Sequence, residues 1–165
     1  MPHRVVLFVA IAVLNLGAGC GGSAAGPSAA STAAGSAPSC DASLWTHVYE
    51  PSRLTVLNPC LTVTGTIENA PHVSDDGDLD FHFVPDAPFQ NLLNSNSNGH
   101  LHVEAICQGP IQSDTPQASQ SCGAYKNSVA IAPPGTHASV TGPYVLDTNH
   151  GWTEIHPVTS IVPIR

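Results

Sequence analysis

The sequence predicts an all-β domain with at most one short helix, built as a small closed or nearly closed antiparallel β-barrel. Three observations carry this expectation. Apolar residues recur at the two-residue period of half-buried strands, clusters of Gly, Asn, Asp and Pro separate those segments, and no β-α-β rhythm runs through the chain.

Taken in order, Leu61, Val63 and Ile67 alternate with Thr62, Thr64 and Thr66, a strand rich in β-branched residues whose apolar face Gly65 interrupts. Leu79, Phe81 and Phe83 alternate with Asp78, Asp80 and His82, and Leu101, Val103 and Ala105 alternate with His100, His102 and Glu104. Shorter extended segments are expected over residues 129–132, 138–141, 144–146 and 152–161. Turns are expected at 75–77, 94–99, 133–135 and 148–151, where Gly, Asn, Asp and Pro gather. The one expected helix covers residues 88–94, with Asp86 as its N-cap.

The segment before this domain reads as an address. Residues 1–19 join His3 and Arg4 to the apolar run Val5 to Leu16 and the small residues Gly17, Ala18 and Gly19, a signal-peptide pattern too short to span a bilayer permanently. Cys20-Gly21-Gly22 follows and resembles the lipidation site of bacterial lipoproteins, although Leu16 stands four residues before the Cys where such sites usually have Leu three before it. The resemblance implies that Cys20 becomes the acylated first residue. The chain would then be held on the cell membrane or outer membrane with its domain on the extracytoplasmic side; an ordinary secretory leader followed by a free Cys is the alternative. Residues 20–39 continue almost wholly in Gly, Ala, Ser, Thr and Pro, a composition expected to form a flexible tether because it cannot bury enough apolar surface to fold. Residues 40–165 suffice for one domain with its own core.

Removing the leader leaves three basic residues, Arg53, Lys126 and Arg165, against twelve Asp and Glu. So few cations cannot displace counterions from a phosphate backbone, which disfavours a nucleic-acid partner. Anionic lipid headgroups are disfavoured by the same sign, leaving the acyl chains on Cys20 as the membrane contact. Among the cysteines, Cys40, Cys60, Cys107 and Cys122 form an even set in an exported domain, so two disulfides are expected. Cys107 with Cys122 is the favoured pair, since residues 108–121 are polar and contain Pro, and closing such a loop contributes about 3 kcal/mol. Cys40 with Cys60 would then tie the domain entry to its first long strand. Their spacings match no zinc site.

The densest group of chemically capable side chains is His150-Gly151-Trp152-Thr153-Glu154-Ile155-His156-Pro157. In an extended chain His150, Trp152, Glu154 and His156 share one side. A straight strand places His150 and His156 about 20 Å apart, too far for one ion, so a zinc site needs a second strand. The expected arrangement sets Asp80 and His82, with Asp78 beside them, opposite Glu154 and His156; His100 with His102 is another pair able to share an ion. Asp76, Asp78 and Asp80 alternate in a manner suited to calcium, outside the EF-hand pattern. Polar alternation is equally what a one-sided strand shows to water. Trp152 is expected to close the core with its N–H bonded at the edge, stacking on a ligand being the other role open to it. No catalytic residue is assigned. Asp147, His150 and Glu154 could exchange protons, but Arg53 and Arg165 are too few to stabilise phosphoryl charge without a metal, and no nucleophile elbow occurs.

The strand order built on Val63 to Ile67, Asp78 to Val84, Leu101 to Cys107 and Gly135 to Gly142 resembles that of OB-fold barrels. Leu61 to Ile67, Asp76-Gly77-Asp78 with His82, and Tyr144 to Pro157 are similar to a bacterial exported domain family of this type, of unknown function, over most of residues 53–162. The resemblance implies a small OB-like antiparallel barrel and says little of activity. The expected function is an extracytoplasmic binding or interaction module of unknown ligand, with zinc or calcium as candidate ions. A metal-dependent hydrolase of the nuclease or phosphodiesterase kind is the alternative, and a single-stranded nucleic-acid binder stands behind it.

Overall fold

The computed structural model describes residues 37–112 and 116–165. The alternating segments become strands: β1 (Leu54–Ile67), β2 (His72–Val73), β3 (Leu79–Pro85), β4 (Leu101–Ala105), β5 (His137–Asp147), β6 (Thr153–Ile155) and β7 (Ser160–Pro163). Their hydrogen bonds run in a ring, β1-β3-β4-β6-β5 and back to β1, with β2 added on β3 and β7 on β5. β4 and β6 pair in parallel; the other neighbours are antiparallel. The result is a small all-β fold whose inner side collects one face of every strand in the ring.

Val63, Ile67, Phe81, Phe83, Leu101, Val103, Val140 and Ile155 are fully buried there, together with Val158 beyond β6. The expected alternation of β1, β3 and β4 is therefore correct. Gly65 interrupts the apolar face of β1 for a steric reason: a Cβ there would lie 2.3 Å from the Val84 carbonyl oxygen and 2.8 Å from Pro85 Cα. A 3-10 turn at Ala87–Leu92 covers one end, with Phe89, Leu92 and Leu93 against the core, while the Tyr144 and Thr153 hydroxyls both donate to the Leu92 carbonyl.

Several local expectations need correction. The helix expected over 88–94 is this 3-10 turn, and Asp86 makes no side-chain cap; its carboxylate accepts from Thr64 Oγ1 at 2.5 Å and meets His137 Nε2 instead. The loop expected between Cys107 and Cys122 contains a short helix, α1 (Pro116–Cys122), and residues 129–132 pack Val129 and Ile131 on the core without joining the sheet. Segments 138–141 and 144–146 are one strand, β5. Conversely, 152–161 is split between β6 and β7 around Pro157, which has no N–H to give a ladder.

A second apolar cluster joins Leu44, Val48, Leu54, Ile106 and Val145 to the Cys107–Cys122 disulfide outside the ring. The 3-10 turn Ala42–His47 supplies Leu44 to it, capped by Asp41, which accepts from the Ser43 N–H at 2.9 Å. Both expected disulfides, Cys40–Cys60 and Cys107–Cys122, are present. No helix among the described residues is long and apolar enough to cross a membrane. The expected signal peptide, Cys20 and most of the tether lie outside the described residues.

Candidate functional site

The outer face of β3, β4 and β6 carries the polar alternates, and strand register decides which of them meet. His82 pairs with His102, Asp80 with Glu104, and His102 with Glu154. Contrary to expectation, Asp80 and His82 therefore do not lie across from Glu154 and His156; β4 runs between them and inserts His102 and Glu104. Two clusters result, one open and one enclosed.

The open cluster consists of His82, His100 and His102, which each offer a ring nitrogen within 4.8 Å of the other two. His100 and His102 share a face because they are two residues apart, and register brings in His82. The His82 and His100 rings stack at 3.7 Å, with His82 edge-on to His102 at 4.9 Å. Carboxylates stand behind them. Glu68 Oε2 lies 3.5 Å from Nδ1 of both His82 and His100, and Asp80 Oδ1 lies 3.3 Å from His102 Nδ1. Burial and the two neighbouring imidazoles hold His100 below the usual histidine range. Burial also presses on His102, but the Asp80 carboxylate overrides it and raises that imidazole.

Trp152 links the clusters. Its indole is sandwiched between His102 at 4.1 Å and His150 at 4.4 Å, and its N–H donates to Glu154 Oε1 at 2.5 Å. The hydrogen-bonded N–H is as expected, but Trp152 is half-buried among imidazoles rather than packed into the apolar core. His150 sits in the turn after β5, bonded to Asp147 Oδ2 at 2.8 Å, and Gly151 (φ 80°) lets the chain reverse before Trp152. His150 groups with Asp147 and Glu154 and not with His156, and it lies in a turn instead of on the straight strand that was expected.

The enclosed cluster surrounds His156, which is fully buried. Its Nδ1 faces Glu104 Oε2 at 2.9 Å and Glu154 Oε2 at 3.2 Å. On the other side its Nε2 faces Asp78 Oδ2 at 3.9 Å, and neither atom has a hydrogen-bond partner. Arg53 reaches in from before β1, pairing with Asp147 and lying 3.7 Å from Glu104. Burial would drive the His156 imidazolium to lose its proton, but Glu104 and Glu154 raise it to about 10. Burial likewise works against the Glu104 carboxylate, which His156 and Arg53 nonetheless hold at about 2. Asp78 has less help: burial and the Asp76 carboxylate push it up to about 7. Two orphaned buried polar atoms cost about 1–3 kcal/mol each.

A cleft of about 520 Å³ opens over this cluster, lined by Arg53, His72, Asp75, Asp76, Glu104 and His150 among others. Its one arginine is already matched by Asp147 and Glu104, so it has no free cation to offer a phosphate. The calcium arrangement of Asp76, Asp78 and Asp80 does not form. Asp78 turns inward to accept from the Cys107 N–H at 2.7 Å, whereas Asp80 turns to His102 and His72. Sequence reasoning missed Glu68, Arg53 and Glu104 as partners. Glu104 was visible as a polar alternate of β4, but nothing local marks Glu68 or Arg53. Comparison with family models, curated proteins and solved structures finds no match for this chain.

Proposed function

We propose that this chain is an extracytoplasmic, lipid-anchored metal-binding module, whose OB-like barrel presents His82, His100 and His102 as ligands to a borderline transition metal such as zinc or copper. The closed strand order with its parallel β4–β6 pair supports the barrel. The leader pattern and Cys20 support the anchor. Convergence of three imidazoles on one outward patch is the observation that carries the function.

Imidazole nitrogen suits zinc, copper and nickel, and three such donors form a common ligand set. Ligands on one tetrahedral ion stand roughly 3.3–3.5 Å apart, so the rings must close by about 1 Å, within the reach of side-chain rotation at a sheet surface. Asp80 at His102 Nδ1 fixes that ring and leaves Nε2 for the metal, and Glu68 does the same service for His82 and His100 or adds an oxygen ligand. The acidic surroundings favour a cation over an anion.

The test is titration of the chelator-stripped full chain with copper(II) and zinc, following Trp fluorescence and bound metal. Copper beside His102 should quench Trp152, which stacks on that ring, in a Trp45→Phe background that removes the other indole. Substituting His100 and His102 together by Ala should weaken binding at least tenfold and abolish the quenching. Unchanged affinity in that double variant would reject the function.

A further inference from the structure

We propose that Asp78, Glu104 and His156 form a second and enclosed site, one for a divalent transition cation with mixed nitrogen and oxygen preference, independent of the three-imidazole patch. Each offers a ligand atom within 4.8 Å of the other two. The argument begins with the two atoms that have no partner. Asp78 Oδ2 and His156 Nε2 are both buried, and they face each other across 3.9 Å. That gap is too long for a hydrogen bond. Two metal–ligand bonds of about 2.0–2.2 Å, meeting at a bent angle, span it without rearrangement.

The rest of the Asp78 and His156 side chains is already fixed, as preorganised ligands require. Asp78 has its other oxygen held by the Cys107 N–H at 2.7 Å, and Cys107 (φ 58°) is itself tied by the disulfide to Cys122. His156 has its backbone N–H on the Pro143 carbonyl at 3.0 Å and its Nδ1 on Glu154 Oε2 at 3.2 Å, while Glu104, 2.9 Å from the same Nδ1, turns from that nitrogen toward the ion when it ligates. A carboxylate on one ring nitrogen orients the imidazole and leaves the other for a metal. Glu154 is held in turn by the Trp152 N–H at 2.5 Å.

Charge points the same way. Asp78, Glu104, Glu154, Asp147 and Asp76 crowd around Arg53 and His156, so carboxylates outnumber the fixed cations nearby. A divalent ion would offset that surplus where solvent cannot. Entry is from the cleft, whose wall includes Glu104 and Asp76. One imidazole with two carboxylates suits zinc, cobalt or manganese better than calcium, which prefers a larger all-oxygen shell.

Cobalt(II) is the probe, because its visible absorption reports the ligand set. The full chain, stripped with chelator, should bind two equivalents. The variant carrying both His82→Ala and His100→Ala should keep one, and adding Asp78→Asn or Glu104→Gln to it should weaken that one at least tenfold. Asp78→Asn alone should keep one equivalent with the spectrum of the imidazole patch. If the His82/His100 variant remains folded by circular dichroism yet binds no cobalt and gains no thermal stability from it, the enclosed site is overturned. It is overturned equally if Asp78→Asn leaves that binding unchanged, the centre then being a water-bridged ion-pair network. A parent chain that binds a single equivalent, kept in the His82/His100 variant and lost in Asp78→Asn, would reject the preceding functional reading and leave this one standing.

Discussion

The enclosed cluster around His156 and the open patch of His82, His100 and His102 use the same residue types on the same side of the sheet, a few residues apart, under different physics. Around His156, water is excluded: the imidazole has no exposed surface, Glu154 none and Asp78 almost none. Charges there must satisfy one another, so the histidine is raised and Glu104 is lowered. At the open patch His82 is about one-third exposed at its side chain and Glu68 about half. Solvent screens the His82–Glu68 pair, which contributes little to stability, while His102 with Asp80 lies deeper at the edge of the patch. The same alphabet thus forms a mutually neutralising buried network in one place and a partly solvated group in the other.

The sharpest way to break the comparison is to delete one histidine from each region and measure chemical denaturation in the presence of chelator. His156→Ala leaves Glu104 and Glu154 buried without their cation and should cost about 3–5 kcal/mol, the range for removing one partner of a buried charge pair. His82→Ala should change stability by about 0.5 kcal/mol or less. Similar losses for both would show that the regions are not physically distinct.

Between these extremes lies Asp147, at the edge of the enclosed region. Burial presses its carboxyl upward, but His150, Arg53 and the backbone N–H groups of Asn149 and His150 hold it below the usual range. A carboxylate with a depressed folded pKa contributes stability above its unfolded pKa of about 3.9, and that stability is lost as pH falls through the folded value. Asp147→Asn should therefore cost about 1–3 kcal/mol at neutral pH and flatten the decline in stability below about pH 4. An acid limb identical to that of the parent would remove Asp147 from the network.

How far the chain could be read in advance varies by residue. Phe81, Phe83, Val63 and Val103 announced themselves by period alone, because burying one face of a strand leaves a two-residue imprint. The Cys107–Cys122 disulfide was legible from the composition of its loop, and Cys40–Cys60 followed as the remaining pair. Of the four side chains expected on one side, Trp152, Glu154 and His156 contact one another in turn, whereas His150 lies in the turn before the extended segment. By contrast, the pairing of Asp80 and His82 with Glu154 and His156 was wrong, because it assumed that β3 and β6 were neighbours. Helical content was misplaced as well, at residues where short turns and a disulfide loop overrode local signals.

The amino-acid sequence by itself determined the composition of both clusters: scarce cations, many carboxylates, and histidines at alternating positions along two strands. It also determined the inner face of the ring, where a Gly at position 65 is required by close backbone approach. Only the tertiary structure decided which histidines meet and which are shut away from water. Register is a relation between strands distant in the chain, and insertion of β4 between β3 and β6 changes every cross-strand partner at once. Burial is decided there too, because the side chains that seal His156 come from β4, β6, the turn before β3 and the residue before β1.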